Sequence, residues 1–80
     1  MTTIEQLRGR IQTRRELPAP AVRRALRQAA GVSQSEIAQV AGVTRQAVAL
    51  WEVGQRTPRG PHLDSYVGVL RTLSKEIAKR

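Results

Sequence analysis

Two short capped segments, joined at a glycine, constrain the fold of this 80-residue chain more than any other feature. The first segment begins at Ser33, whose hydroxyl can cap a helix while Glu36 reaches back to the capping residue. The second segment begins at Thr44, which is another capping residue. Gly42 lies between the two, and glycine readily takes the positive φ that a tight turn requires. We therefore expect two helices of about two turns each, joined by a tight turn.

The residues around this turn allow the two short helices to cross closely and at a steep angle. Ala38 in the first helix and Ala47 in the second are small enough for such a contact. This arrangement is a helix-turn-helix. We expect the apolar side chains that seal the pair to be Ile37, Ala41, Val43, Val48 and Trp51.

The rest of the chain predicts three further helices. Residues 1–18 read as a basic N-terminal helix and a linker, and residues 19–80 as the helix-turn-helix domain with a C-terminal helix. No segment alternates with a period of two, so the fold class is all-α: a compact bundle of about five helices. A capping box at Thr2 and Glu5 is expected to start the first helix. The predicted inner stripes are Ile4, Leu7 and Ile11; then Val22, Ala25, Leu26 and Ala29; and finally Leu63, Tyr66, Val67, Leu70, Leu73 and Ile77.

The composition argues against several classes of function. The chain has no cysteine and a single histidine, His62, so we expect no disulfide, no thiolate chemistry, no metal site and no cofactor. No carboxylate pair, activated nucleophile or phosphate-cradling glycine loop is present, so we predict that the protein is not an enzyme. The longest apolar run is residues 47–51, and the N-terminus does not resemble a secretory signal. We expect a cytoplasmic protein, associated with the nucleoid in a bacterial or phage-infected cell.

The charge balance points to an acidic polymer as the partner. The chain has fourteen Lys and Arg residues and six Asp and Glu residues, which gives a net charge of +8. Residues 1–30 alone carry +5. Such an excess on a small domain is typical of nucleic-acid binding, although a basic surface can also serve solubility alone.

A longer pattern supports the same interpretation. It consists of Leu26-Arg27, the run Gly31-Val32-Ser33-Gln34-Ser35-Glu36-Ile37-Ala38, then Gly42-Val43-Thr44, Val48, Trp51-Glu52-x-Gly54 and Pro58. With these residues, the segment 22–70 resembles the Cro/repressor (Xre-type) helix-turn-helix family and has no insertion. The resemblance implies binding to double-stranded DNA through the major groove, usually by a homodimer.

The same resemblance implies a set of DNA-binding residues. Arg45 would donate to guanine, Gln46 would read adenine, and Leu50, with Ala49, would press on a thymine methyl. Gln34 would contact phosphate and brace the first side chain of the recognition helix, and the amide of Ser33 would also attract phosphate. The full set is Ser33, Gln34, Thr44, Arg45, Gln46, Ala49, Leu50, Gln55, Arg56 and Arg59, with Thr57 in the same loop.

The resemblance further implies an ion pair between Arg27 and Glu52, which would fix the recognition helix on its scaffold. The sequence departs from the family pattern at Val53, where a polar residue is common, so a phosphate contact is in doubt there. The apolar residues at positions 49 and 50 weaken the polar reading of bases.

Several alternatives remain open from the sequence. The N-terminal helix, with Arg8, Arg10, Arg14 and Arg15, can pack on the domain, lie along flanking phosphates or dock on a partner protein. In the C-terminal helix, Leu70, Leu73 and Ile77 can face a second copy. An antitoxin-like or adaptor module of the same fold, or a non-specific nucleic-acid binder, is the alternative function.

Overall fold

The computed structural model of the protein describes residues 3–79, apart from the side chains of Thr13 and Arg14. Within this range the chain forms five helices and no strand, so the predicted all-α bundle with a helix-turn-helix is confirmed. The helices are α1 (Ile4–Glu16), α2 (Pro20–Ala30), α3 (Gln34–Ala41), α4 (Arg45–Val53) and α5 (Pro61–Ala78).

The core lies where α3 and α4 meet α5. Val48 of α4 is fully buried, and Trp51 packs its ring against Tyr66 of α5, with ring centroids 4.7 Å apart and a tilt of 47°. Helix α2 contacts both α4 and α5, and α5 also contacts α3. The two short helices α3 and α4 are therefore packed against both α2 and α5. The residues of this cluster are Ile37, Ala38, Val48, Trp51, Tyr66, Leu70 and Leu73.

The turn between α3 and α4 has the predicted chemistry. Gly42 adopts φ 71°, and the amide of Val43 donates to the carbonyl of Ala38 at 3.0 Å. The Thr44 hydroxyl accepts from the amide of Ala47 at 3.2 Å, which satisfies one of the otherwise unpaired donors at the start of α4.

The predicted inner face of α2 is wrong at three of its four positions. Leu26 packs against the core, but Val22, Ala25 and Ala29 are exposed, whereas Arg23 is buried. The guanidinium of Arg23 donates through Nε to the carbonyl of Pro18 at 2.7 Å and through Nη1 to the carbonyl of Trp51 at 2.9 Å. These bonds let a charged residue take a core position, which a search for apolar periodicity cannot detect.

Helix α1 lies beside α5 but leaves most of its apolar stripe in solvent. Ile4, Leu7 and Ile11 are 71%, 48% and 52% exposed, so this stripe is not an inner face of the monomer. The predicted capping box at Thr2 lies outside the described residues. Instead, Thr3 donates its amide to Gln6 Oε1 at 2.8 Å, and its hydroxyl accepts from the Gln6 amide at 3.1 Å.

The C-terminal helix turns its apolar stripe into its own domain. Leu70 and Leu73 are buried in the core, so the alternative in which they face a second copy is wrong for these two side chains. Ile77, near the end of α5, is half-buried. One long helix therefore serves as the platform on which α2, α3 and α1 rest.

Candidate nucleic-acid interface

Helix α4 presents a polar end and a ridge to solvent. Val48, Trp51 and Glu52 bury one face of the helix. Arg45 and Gln46 are exposed on the first turn, while Ala49 and Leu50 are half-buried along the ridge that follows. The first turn of α4 is therefore accessible to a large ligand.

A shallow depression runs along one side of this ridge. Gln46 and Leu50 form the α4 wall, and the loop of residues 55–59 forms the opposite wall. His62, in the first turn of α5, also lines this depression. The predicted residues brought together here are Thr44, Gln46, Leu50, Gln55, Arg56, Thr57 and Arg59.

A second depression lies on the other side of the ridge. Here Arg45 and Ala49 face Gln34 at the start of α3 and Arg24 in α2. Val53, which is 60% exposed, also lines this depression and adds an apolar side chain to it. The two depressions leave α4 as a raised rod between two recesses.

A three-residue network ties α4 to the helices behind it. Arg27 Nε donates to Glu52 Oε2 at 2.6 Å, and Arg27 Nη2 donates to Glu52 Oε1 at 3.0 Å. Gln34 Nε2 donates to the same Oε1 at 3.2 Å, and Arg27 Nη1 donates to the carbonyl of Val32 at 3.0 Å. The hydrogen bond to Glu52 raises the pKa of Arg27 above its usual value, against the opposing effect of burial. A bidentate pair of this kind fixes orientation as well as distance, so α4 is held in one pose.

Hydrogen bonds within the chain engage the start of α3. The Ser33 hydroxyl accepts from the Glu36 amide at 3.0 Å, and the Ser33 amide donates to Glu36 Oε1 at 3.0 Å. The Ser33 amide, expected to attract phosphate, is therefore engaged by a carboxylate of the same chain. The hydrogen bond from the Ser33 amide, and next the Ser33 side chain, favour the charged carboxylate and so lower the pKa of Glu36. Gln34 likewise contacts Glu52 rather than bracing the first side chain of α4.

Two residues beside the rod were missed by the sequence reasoning. Arg24 lies one helical turn before Arg27, and this i, i+3 spacing was a signal that it would share the side of α2 that faces α4. His62 follows Pro61 at the start of α5, and no local pattern indicates that this helix begins beside Gln46. Of the ten DNA-binding residues predicted, Ser33 lines neither depression.

Helix α4 is exposed and packs across a second short helix, α3. This arrangement is that of a DNA-binding helix-turn-helix domain. Comparison with protein families agrees: a helix-turn-helix family model matches residues 24–78, more than half of the chain. The chain belongs to this family, of the Xre/Cro type, whose members bind DNA. Comparisons with curated proteins and with solved structures gave no match. None of the helices in residues 3–79 combines the length and hydropathy needed to span a membrane.

Proposed function

We propose that the protein is a sequence-specific transcriptional regulator that inserts α4 into the major groove of double-stranded DNA. The observation that carries this proposal is the exposure of Arg45 and Gln46 on a rod held in place by Arg27 and Glu52. The major groove is about 12 Å wide and admits one helix, and its base edges meet the first turn of that helix. A protein with this role acts on DNA in the cytoplasm.

Three side chains on the rod are suited to reading bases. Arg45 can donate two hydrogen bonds to guanine O6 and N7, and Gln46 can pair with adenine N6 and N7. Leu50 offers an apolar contact for a thymine methyl, and the small Ala49 lets the groove floor approach.

The surfaces on either side of the rod are suited to phosphates. The loop side chains Gln55, Arg56 and Arg59 are exposed beside Gln46 and can contact one strand. On the other side, Gln34 uses Nε2 toward Glu52, and its amide nitrogen carries a second hydrogen that can donate to a phosphate oxygen. Phosphate contacts set the register of the rod, and base contacts set the sequence that is preferred.

We further propose that two copies bind an inverted repeat, with their recognition helices about 34 Å apart, one turn of B-form DNA. Because Leu70 and Leu73 are in the core of the monomer, the contact between copies has to use another surface. Sedimentation or light scattering of the DNA-bound protein measures this directly; a single copy per bound duplex would rule out the paired arrangement.

The decisive experiment is selection of bound duplexes from a random pool with the purified protein. A recovered palindrome would give the preferred sequence and its symmetry together. Recovery of duplexes with no shared sequence would remove the specific-regulator proposal in favour of non-specific binding.

Substitution of the first base-reading residue tests the roles assigned on α4. Arg45→Ala is expected to weaken binding to the selected duplex by about 1–3 kcal/mol and to relax preference at one base pair. Arg56→Ala is the matched control, because it removes one exposed arginine from the loop rather than from the rod. Equal weakening by Arg45→Ala on all sequences would show that Arg45 contacts only phosphate.

A second candidate function is favoured by the exposed stripe on α1. Ile4, Leu7 and Ile11 present contiguous apolar surface, and such surface on a small domain is typical of a protein contact. An adaptor or antitoxin-like module would use this stripe for a partner. Tight binding of the selected duplex by the purified protein alone, with full stability, would favour the regulator.

A further inference from the structure

Arg59 lies at the junction of two recesses. It borders the depression beside α4, together with Gln46 and Leu50. It also borders a recess between α1 and the start of α5, together with Leu7 and Arg10. The loop proposed to contact DNA therefore has α1 along its other side.

Arg10 is the α1 arginine that faces this loop. Among the α1 arginines with described side chains, Arg10 lines the recess, whereas Arg8 and Arg15 do not. Residues two positions apart on an α-helix point about 200° from each other, so Arg8 lies on the far flank of the helix. Arg10 is exposed, and the ion pairs found among the described residues engage other side chains.

The charge of this recess is suited to an anion. Its charged lining residues are Arg10, Arg59 and Asp64, which leaves one positive charge in excess. Phosphates follow each strand of B-form DNA at intervals of about 3.4 Å along the helix axis. A strand that meets the loop at Arg59 and continues along this recess would place its next phosphates beside Arg10.

We propose that Arg10 and Arg59 form one continuous phosphate-binding track, which extends the DNA contact from the helix-turn-helix segment onto α1. The ligand is the DNA backbone outside the base pairs that α4 reads. This inference rests on the proposed binding of α4 to duplex DNA. It assigns a DNA contact to a residue that lies outside the family segment of residues 24–78.

Contact with phosphate alone has a recognisable signature. It supplies affinity without sequence information, so Arg10 contributes equally on a selected and on a scrambled duplex. It also releases counterions, which makes the logarithm of the association constant fall with the logarithm of salt concentration by about 0.9 per phosphate.

The test compares two arginines of the same helix. Binding of the selected duplex is measured across a salt series for the full chain, for Arg10→Ala and for Arg8→Ala, which removes the same charge from the opposite flank. Arg10→Ala is expected to reduce the salt slope by about 0.9 and to weaken binding several-fold on both selected and scrambled duplexes. Arg8→Ala is expected to change the slope by less than half as much.

A conservative variant separates contact from folding. Arg10→Lys keeps a point charge that binds phosphate and is expected to retain the slope of the wild-type chain. Circular dichroism of each variant checks that α1 is still helical. Equal slopes for Arg10→Ala and Arg8→Ala, or an unchanged slope for Arg10→Ala, would overturn the track while leaving α4 binding intact. Failure of the wild-type chain to bind any duplex would overturn both proposals.

Discussion

Glu52 is the residue on which three helices converge. It lies on α4, accepts two hydrogen bonds from Arg27 of α2 and accepts a third from Gln34 of α3. Its side chain is 2% exposed and that of Arg27 is 15% exposed, so water screens the pair poorly. Orientation of the rod and stability of the domain therefore depend on the same carboxylate.

Glu52→Gln is expected to destabilise the domain by about 3 kcal/mol, because Arg27 keeps its charge and loses its counter-charge. In a domain of this size the melting temperature would fall by more than about 10 °C. Glu76→Gln is the control, since Glu76 pairs with Lys79 in solvent and its loss is expected to stay within about 0.5 kcal/mol. An unchanged melting temperature for Glu52→Gln would show that the pair contributes nothing to the fold.

Tyr66 gives the domain a dependence on alkaline pH. Burial, and next the nearby charge of Glu52, raise the pKa of Tyr66 to about 12, whereas a tyrosine in an unfolded chain titrates near pH 10. A raised pKa means that the folded state holds the proton more tightly. The stability this confers is complete below about pH 10 and is lost as the pH rises from about 10 towards 12.

Thermal melts between pH 8 and pH 12 should therefore show a steeper loss of stability for the wild-type chain than for Tyr66→Phe. Tyr66 is the chain's single tyrosine, so the ultraviolet absorbance of tyrosinate reports its titration directly. Identical pH profiles for the two proteins would show that Tyr66 ionises as easily in the folded state as in the unfolded state.

At the scale of the helix, the boundaries of the helices are the features that the sequence predicts best. Ser33 and Thr44 begin α3 and α4 as expected, and Gly31, Gly42 and Gly54 end their helices in the left-handed conformation. These signals are local, because a cap is formed by residues three or four positions apart. Local chemistry therefore suffices to predict them.

The buried faces of α1 and α2 are harder to predict from the sequence, because they depend on which other parts of the chain pack against each helix. Arg23 replaces the expected apolar residues of α2 because two carbonyl groups, one of them in α4, receive its donors. Ile11 in α1 has the spacing of a packed residue, yet α5 leaves it half in solvent. Periodicity indicates that a stripe exists, but it does not show which protein surface covers that stripe.

Substitution of Gly54, at the C-terminal end of α4, tests how strongly this end of the helix is fixed against α2. Gly54 has φ +78°, and a Cβ built there would meet the Pro20 ring at 3.1 Å. Gly54→Ala is expected to destabilise the domain by about 1–2 kcal/mol through left-handed strain, with crowding against α2 added. Gly68→Ala, inside α5 where a Cβ meets nothing within 4 Å, is expected to stabilise it by about 0.5–1 kcal/mol. Chemical denaturation measures both values, and a neutral Gly54→Ala would mean that the turn after α4 is not fixed.

For the whole molecule, the excess of positive charge is both a means of binding and a cost in stability. Net charge is +8, and the ion pairs of the described residues engage the acidic residues Glu16, Glu52 and Glu76. Self-repulsion among the remaining cations opposes the compact state, while the same cations attract phosphate. Folding and binding should therefore respond to ionic strength in opposite directions.

Raising the salt concentration from about 50 to about 200 mM shortens the distance over which exposed charges interact, since the Debye length is about 10 Å at 0.1 M. The melting temperature of the isolated protein is expected to rise, because repulsion is screened, while the buried pair of Arg27 and Glu52 is screened much less. Over the same range the affinity for duplex DNA is expected to fall steeply, with a slope of about −0.9 for each phosphate contacted. Melting curves and binding titrations in the same buffers measure both trends. Parallel changes, with folding and binding weakened together by salt, would show that surface ion pairs rather than repulsion dominate the electrostatics of the folded domain.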